Sequence, residues 1–505
     1  MNTSTPAEAP PNTTRQTRLN AGSIGTAGIV FFVVAAAAPL AATLGAGPVV
    51  FMFAGSAAPA MYLIASLALL LFAFGFAAMS RYVTNAGGFA AFVAWGLGRW
   101  AGYAAAGIAL LAYLAMFLGI SAQLATFTSD FFDRFFGINL PWQPALLIGV
   151  AIIGLLAYRD IRVSTVLLGV MLVLEVLFLV VFDVAVLVGG GADGINVASF
   201  NPADIFSPTM GLAILFAFAC FVGFEATILY GEEAKEPKKA VPRATYTSIA
   251  IIGVIYTLTM WALALAYGVD NVQDAALADP VNFVLAAVTD YLGAGSAVVL
   301  ELLVLTSLLA VLLSFHNALN RYVFSLGRAN FLPRGLGVSH PRYQSPARAS
   351  LVVTATITVL LVLFTFTGQD PFAVLYMWML GLGTLGLLLL QATGAAAVIV
   401  FLRSRSANEA LWARFIAPLL GGIMLLVAVI LAVVNFDALI DSGGSVAVIL
   451  PALYVVAVVA GLVIGAVRNT DDLRQEHDPE TGAATPLPSP KPTSTHSSST
   501  GPRHG

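Results

Sequence analysis

Charged side chains are scarce in this chain. Only 10% of its 505 residues are Asp, Glu, Lys or Arg, while 59% are hydrophobic. An ordinary soluble domain carries about 25% charge. Mean hydropathy is +0.91. A soluble globular enzyme is excluded, and so is a disordered protein, which needs low hydrophobicity. Cysteine is nearly absent. Cys220 stands alone, which rules out an intramolecular disulfide and a cysteine cluster for a metal. The five histidines (His316, His340, His477, His496 and His504) are scattered and form no pair at metal-ligand spacing. No metal and no cofactor is expected. The net charge of −3 gives no nucleic-acid footprint. No nucleophile motif occurs in a fitting context, which argues against an integral-membrane enzyme. Residues 1–20 are polar and rich in Thr and Pro rather than basic and then apolar. The first apolar stretch is therefore expected to stay in the protein as a membrane helix.

What is present in abundance is long apolar sequence. About 20 such residues cross the hydrocarbon core of a bilayer. Twelve segments qualify, at roughly 24–45, 58–80, 101–129, 144–158, 163–188, 209–230, 246–268, 295–326, 349–367, 372–402, 415–435 and 446–467. Two shorter amphipathic pieces lie near 86–98 and 281–292. Residues 1–20 and 469–505 are rich in Pro, Ser, Thr and charge, cannot bury a core, and are expected to be disordered tails.

Basic residues mark the cytoplasmic side of a membrane protein. With twelve crossings and the N-terminus inside, all of the 23 Lys and Arg except Arg134 fall in inner loops or tails. The outer loops are acidic instead, with Asp193, Asp204, Asp270, Asp274, Asp279, Asp370, Asp437 and Asp441. One helix too many or too few would scramble that alternation. The expectation is an all-α polytopic protein of the cytoplasmic membrane, with both termini inside and the lipid bilayer as its solvent.

Two segments are built to break. The first contains Pro39, where a helix loses a backbone hydrogen bond and meets a steric clash. Four alanines, Ala35 to Ala38, precede it and let another group approach the backbone closely. A plain proline kink in a packed helix is the simpler alternative. The sixth segment holds Gly211, Gly223, a run of Phe216, Phe218, Phe221 and Phe224, and then Glu225 still inside apolar sequence. A charged carboxyl costs about 2.5–3.5 kcal/mol at membrane depth, so its default reading is functional. A structural, hydrogen-bonded Glu capping a half-helix is the alternative. These two segments begin two five-helix halves, and interrupted helices at matching positions point to a secondary transporter's binding site. The N-terminus of a half-helix offers free N–H groups and a positive dipole end to an anion, and a C-terminus offers carbonyls to a cation. That pair suits a zwitterion.

Three stretches resemble a known family. They are Phe221–Ala226 with Gly231–Pro237 and Val241–Ala244; the run from Ser314 through Asn317, Arg321, Arg328, Leu332–Pro333 and His340–Pro341 to Pro346; and Asn85–Phe89. In this order they are similar to the sixth helix, the eighth helix with its basic loop, and the entry to helix three of the amino acid–polyamine–organocation (APC) superfamily. The first helix, with Ala38-Pro39-Leu40-Ala41 where the family usually has a Gly-Ser-Gly type of break, resembles a bacterial permease branch reading A-A-A-P-L. The resemblance implies a LeuT-type fold: two inverted five-helix repeats with discontinuous helices 1 and 6. That makes 21–402 the transporter core and 403–468 two added helices. It further implies that Ala36, Ala37, Ala38, Pro39, Leu40 and Ala41 line one side of a substrate site, and Phe218, Cys220, Phe221 and Gly223 the other. Any one of the phenylalanines is equally readable as helix packing, and Cys220 as a small packing residue.

Other carboxyls lie at membrane depth. Glu175 is near mid-span, while Asp183 and Glu301 are nearer the outer end, and no Lys or Arg is expected at that depth to pair with them. A carboxyl that is neutral when sealed and ionised when wet can carry a proton. Glu225 and Glu175 are the candidates, with Ser307, Ser314 and His316 as possible ion or proton partners. Proton-coupled uptake of an amino acid or related amine is the function this implies. Sodium coupling, solute exchange, a channel and a non-transporting sensor are the alternatives. The basic and acidic loop at 231–244 is either a solvated helix end or a latch on an inner gate. The substrate stays open between a neutral amino acid and a cationic solute paired to Glu225.

Overall fold

The computed structural model describes residues 25–83, 88–158, 165–225, 227, 234–340, 345–403, 409–439, 444–468 and 473. The expected disordered tails, apart from Leu473, which is buried, the Asn85–Gly87 part of the helix-three motif and the Gly231–Glu233 part of the charged loop lie outside them. The regular elements among the described residues are all helices. The long ones are α1 (Thr26–Ala37), α2 (Pro39–Ala54), α3 (Ala58–Ser80), α4 (Gly88–Leu97), α5 (Arg99–Phe136), α6 (Trp142–Tyr158), α7 (Thr165–Gly189) and α8 (Met210–Ala219). They continue with α9 (Pro237–Tyr267), α10 (Val272–Ala278), α11 (Phe283–Leu292), α12 (Ala294–Arg328), α13 (Ala347–Thr365), α14 (Pro371–Arg403), α15 (Trp412–Val434) and α16 (Val446–Val467).

Helix underlies every one of the twelve apolar segments, because a backbone without water must bond to itself. By length and composition nine stretches among the described residues are able to cross a membrane, and ten if the pair α10 and α11, which meet at 119°, counts as one. Thr26–Ser80 enters that count as one stretch of 55 residues, although it is interrupted at Ala38 and at Gly55. The protein is a multi-pass membrane protein.

Burial sorts the helices into a centre and a rim. The most apolar window of α5 is 72% buried, whereas that of α16 is 17% buried. Val173, Leu177, Val184 and Val188 on α7 and Val448, Val455 and Val459 on α16 are exposed. A belt of exposed aliphatic side chains suits lipid and would be a liability in water. Lipid tails are as apolar as the helices, so association rests on close packing between small residues. Gly421 of α15 lies against the Phe72 backbone of α3, and Gly107 of α5 against the Ala457 carbonyl of α16, where a Cβ would collide.

Candidate functional site

The first helix is broken at Ala38. This residue is left-handed (φ 44°, ψ 70°) and is the shared boundary of α1 and α2. Pro39 therefore does not sit inside a helix but opens α2 as its first residue. Its missing N–H costs nothing there, because the first amides of a helix have no intrahelical acceptor. The last turn of α1 is closed by the Ala38 N–H on the Val34 and Ala35 carbonyls, and Tyr256 Oη donates to the Ala37 carbonyl at 2.9 Å.

The second break follows α8. The chain leaves the helix at Cys220 and turns through Gly223, whose φ of 115° favours glycine. A Cβ at Gly223 would stand 3.0 Å from the Ala36 Cβ, so the two breaks touch. Gly211, expected to bracket this break, lies within α8 and packs against α15 at Leu431. Glu225 is 2% exposed. Its Oε2 accepts from the Gly223 N–H at 3.0 Å and its Oε1 from Tyr113 Oη at 2.8 Å. The carboxylate thus fastens its own turn to α5. The Tyr113 ring lies 5.2 Å from that of Tyr322, whose hydroxyl accepts from the Phe89 N–H at the start of α4.

Glu175 of α7 is 3% exposed. It accepts from Ser307 Oγ at 2.8 Å and from the Leu40 N–H of α2. Ser307 and Glu175 are therefore brought together at the first break. Ser314 and His316 are not. Ser314 Oγ donates to the Ala310 carbonyl of its own helix. His316 lies roughly 13 Å further along α12 than Ser307 at 1.5 Å per residue. Its ring nitrogens meet Thr354 of α13 and Asn320 at 2.8 and 2.9 Å. The expectation that no cation pairs with the deep carboxyls needs correction. Arg134, at the last turn of the long α5, reaches Glu301 with Nε 2.9 Å from Oε1, and also bonds the Asn282 side chain. Asp183 Oδ2 accepts from Thr259 at 3.0 Å, and its Oδ1 has no partner among the described residues. At the exposed start of α9 the Lys239 ammonium, hydrogen-bonded to Glu236 at 2.8 Å, holds that carboxyl below its ordinary value.

Beside the two breaks lies a small cavity of about 40 Å³, room for a few water-sized groups in this conformation. Ala36, Ala37, Ala38 and Ala41 line it from the first break and Cys220 from the second, with Ala42, Ala46, Ala219 and Val222 beside them. Pro39, Leu40, Phe218, Phe221 and Gly223 are buried next to it without lining it. Phe221 packs edge-on against Tyr256 instead. The rest of the wall comes from α5 (Met116, Ile120, Gln123), α12 (Leu308, Val311, Phe315) and α14 (Tyr376, Leu380). Gln123, Tyr376 and Tyr113 escaped the sequence reading. Gln123 left a trace: only it and Gln391 are glutamines inside apolar segments. The tyrosines left none, since only the fold shows which hydroxyls turn inward.

The family model for amino acid permease matches residues 22–465. An uncharacterized transporter of Mycobacterium tuberculosis (strain ATCC 25618 / H37Rv) is 32% identical over 195 residues, 37% of this chain and 41% of that protein. A branched-chain amino acid permease of Bacillus subtilis (strain 168) is 25% identical over 302 residues, 56% of this chain and 63% of that protein. A low-affinity putrescine importer of Escherichia coli (strain K12) is 24% identical over 237 residues, 44% of this chain and 50% of that protein. The matched stretches thus span less than two thirds of these relatives' lengths. Family and relatives alike are named for transport rather than for catalysis.

Proposed function

The chain belongs to the amino acid permease family, within the APC superfamily, and from that premise we propose that it is a proton-coupled secondary transporter of amino acids or related amines. The observation that carries the reading is the meeting of two interrupted helices beside a cavity. The Ala38 break and the Gly223 turn are in contact, and both face the same space. Interrupted backbone at membrane depth is tolerated where it lines a cavity, and it supplies binding groups without any fixed charge. The first turn of α2 offers the Ala41 N–H to a carboxylate, and the carbonyls at the two breaks offer acceptors to an ammonium.

In this reading the chain crosses the cytoplasmic membrane twelve times with both termini inside. Helices 1–5 and 6–10 form the inverted repeat of a LeuT-type fold, and the last two helices are an addition. Glu225 and Glu175 are the proton-sensitive groups. Each touches one break: Glu225 holds the Gly223 amide and Glu175 the Leu40 amide. A proton gained or lost at either carboxyl changes the strength of a bond that fixes a half-helix, which links protonation to the shape of the site. The alternation of basic and acidic loops supports the orientation.

Uptake of labelled amino acids and amines into proteoliposomes tests the proposal. A carrier gives saturable, temperature-steep uptake that rises with an inward proton gradient. Unsaturable, weakly temperature-dependent flux would indicate a channel, and binding without flux a sensor. Either result overturns the reading.

A further inference from the structure

The cavity lining is of two chemical kinds, a few polar groups and a larger apolar wall. Among the polar groups, Gln123 Nε2 donates to the Ala41 carbonyl at 2.7 Å. A backbone carbonyl only accepts, so the amide orientation is fixed: nitrogen to Ala41, and Oε1 turned away from it as an acceptor. Tyr376 also lines the cavity, and its hydroxyl and the Gln123 amide converge over Gly45 of α2, which has no side chain to keep them apart. The rest of the lining from α5, α12 and α14 is apolar: Met116, Ile120, Leu308, Val311, Phe315 and Leu380. No charged side chain is among the described residues that line the space. Both oxygens of Glu225 are bonded away from it, to Gly223 and Tyr113, and Glu175 is held by Ser307 and Leu40.

On the reading of the chain as an amino acid or amine carrier, we propose that this site selects neutral amino acids with an aliphatic side chain, and that Gln123 Oε1 is the specificity-determining acceptor for the α-ammonium. The α-carboxylate then faces the Ala41 N–H in the first turn of α2, since Pro39 has none, that of Leu40 is held by Glu175 and that of Ala42 by the Ala38 carbonyl. The side chain points at the apolar wall, where leaving water is favourable. A second cation, as in arginine, agmatine or putrescine, would be buried there without an anion, which is strongly unfavourable.

The test is a thermal-shift titration of the purified full-length protein. The probes are leucine, isoleucine and valine; arginine, agmatine and putrescine; and 4-methylpentanoate, which is leucine without its ammonium. Stabilisation grows with ligand concentration over Kd, so the titration ranks affinities. Aliphatic amino acids are expected to bind at least about 100-fold tighter than the cationic probes. 4-Methylpentanoate on the wild type, and leucine on Gln123→Leu, are each expected to bind about tenfold weaker or worse. The des-amino probe needs no variant, so the idea stays testable if Gln123→Leu fails to fold. Arginine or putrescine binding as tightly as leucine would overturn the selectivity while leaving the carrier reading intact. 4-Methylpentanoate binding as tightly as leucine would overturn the role of Gln123. A folded protein stabilised by none of the amino acids or amines would overturn the carrier reading itself, and this inference with it.

Discussion

Replacing Glu225 with glutamine separates charge from shape at the second break. In the native site both carboxyl oxygens accept, Oε1 from Tyr113 and Oε2 from the Gly223 N–H. Glutamine offers one oxygen and one NH₂. The Gly223 N–H is fixed and only donates, so the oxygen must face it. The NH₂ then faces Tyr113, whose hydroxyl can rotate to accept. Both contacts survive, but as neutral bonds of about 0.5–1.5 kcal/mol in place of charge-assisted ones of about 1.5–3 kcal/mol. Glu225→Gln should therefore fold, with a loss of about 1–3 kcal/mol for the two contacts together. Glu225→Leu strips both donors of their acceptor at about 1–3 kcal/mol each and should lower Tm much further. Transport should respond differently from stability. If Glu225 is one of the groups that carries a proton, uptake by Glu225→Gln should lose most of its dependence on pH, up to about tenfold per pH unit for a single proton. The assay is initial uptake into proteoliposomes from pH 5.5 to 8 at clamped membrane potential, alongside Tm. Glu175→Gln is measured in parallel. Profiles like wild type in both variants would refute the reasoning.

Three further outcomes follow from local geometry. Ala38 holds a left-handed conformation that costs an L-residue about 1–2 kcal/mol, and a β-branched side chain tolerates it worse, so Ala38→Val should lower Tm while Ala38→Gly should not; equal Tm values would argue against a fixed break. Gly223→Ala should lower both Tm and uptake, because a φ of 115° strains any L-residue and its Cβ meets Ala36 where the two breaks touch; unchanged Tm and uptake would argue against this turn. Arg134→Met leaves Glu301 buried without its cation, and because Arg134 is partly exposed the loss should be about 1–2 kcal/mol, read as a fall in Tm that Glu301→Gln in the same chain largely restores.

Local chemistry was legible in the sequence where it depends on one residue. Pro39 announced the first break, although the strain sits on Ala38, one residue earlier, and the proline begins the second half-helix. Glu225 announced itself as a carboxyl in apolar sequence, and its capping of the Gly223 turn is what the structural reading of that carboxyl expected. Partners across the fold were not legible. Tyr113, Tyr376 and Tyr256 resemble any other aromatic on an apolar helix, and nothing in the spacing says which hydroxyl meets a carboxylate. Arg134 was placed in an outer loop because apolar sequence ends before it, yet α5 runs on to Phe136 and delivers the guanidinium to Glu301. His316 and Ser314 shared a segment with Ser307, but the helix turns them to other neighbours. The alanine run was informative for a reason that composition hides: small side chains mattered less for packing than for leaving a cavity beside the backbone.

The central claim is that a proton gradient moves an amino acid uphill through this site. Purified protein in sodium-free proteoliposomes, given an acid-outside gradient and labelled leucine, should accumulate the label above its external concentration, and a protonophore should abolish the excess. Accumulation that requires sodium, or label that enters only against preloaded solute and never exceeds equilibrium, would contradict it.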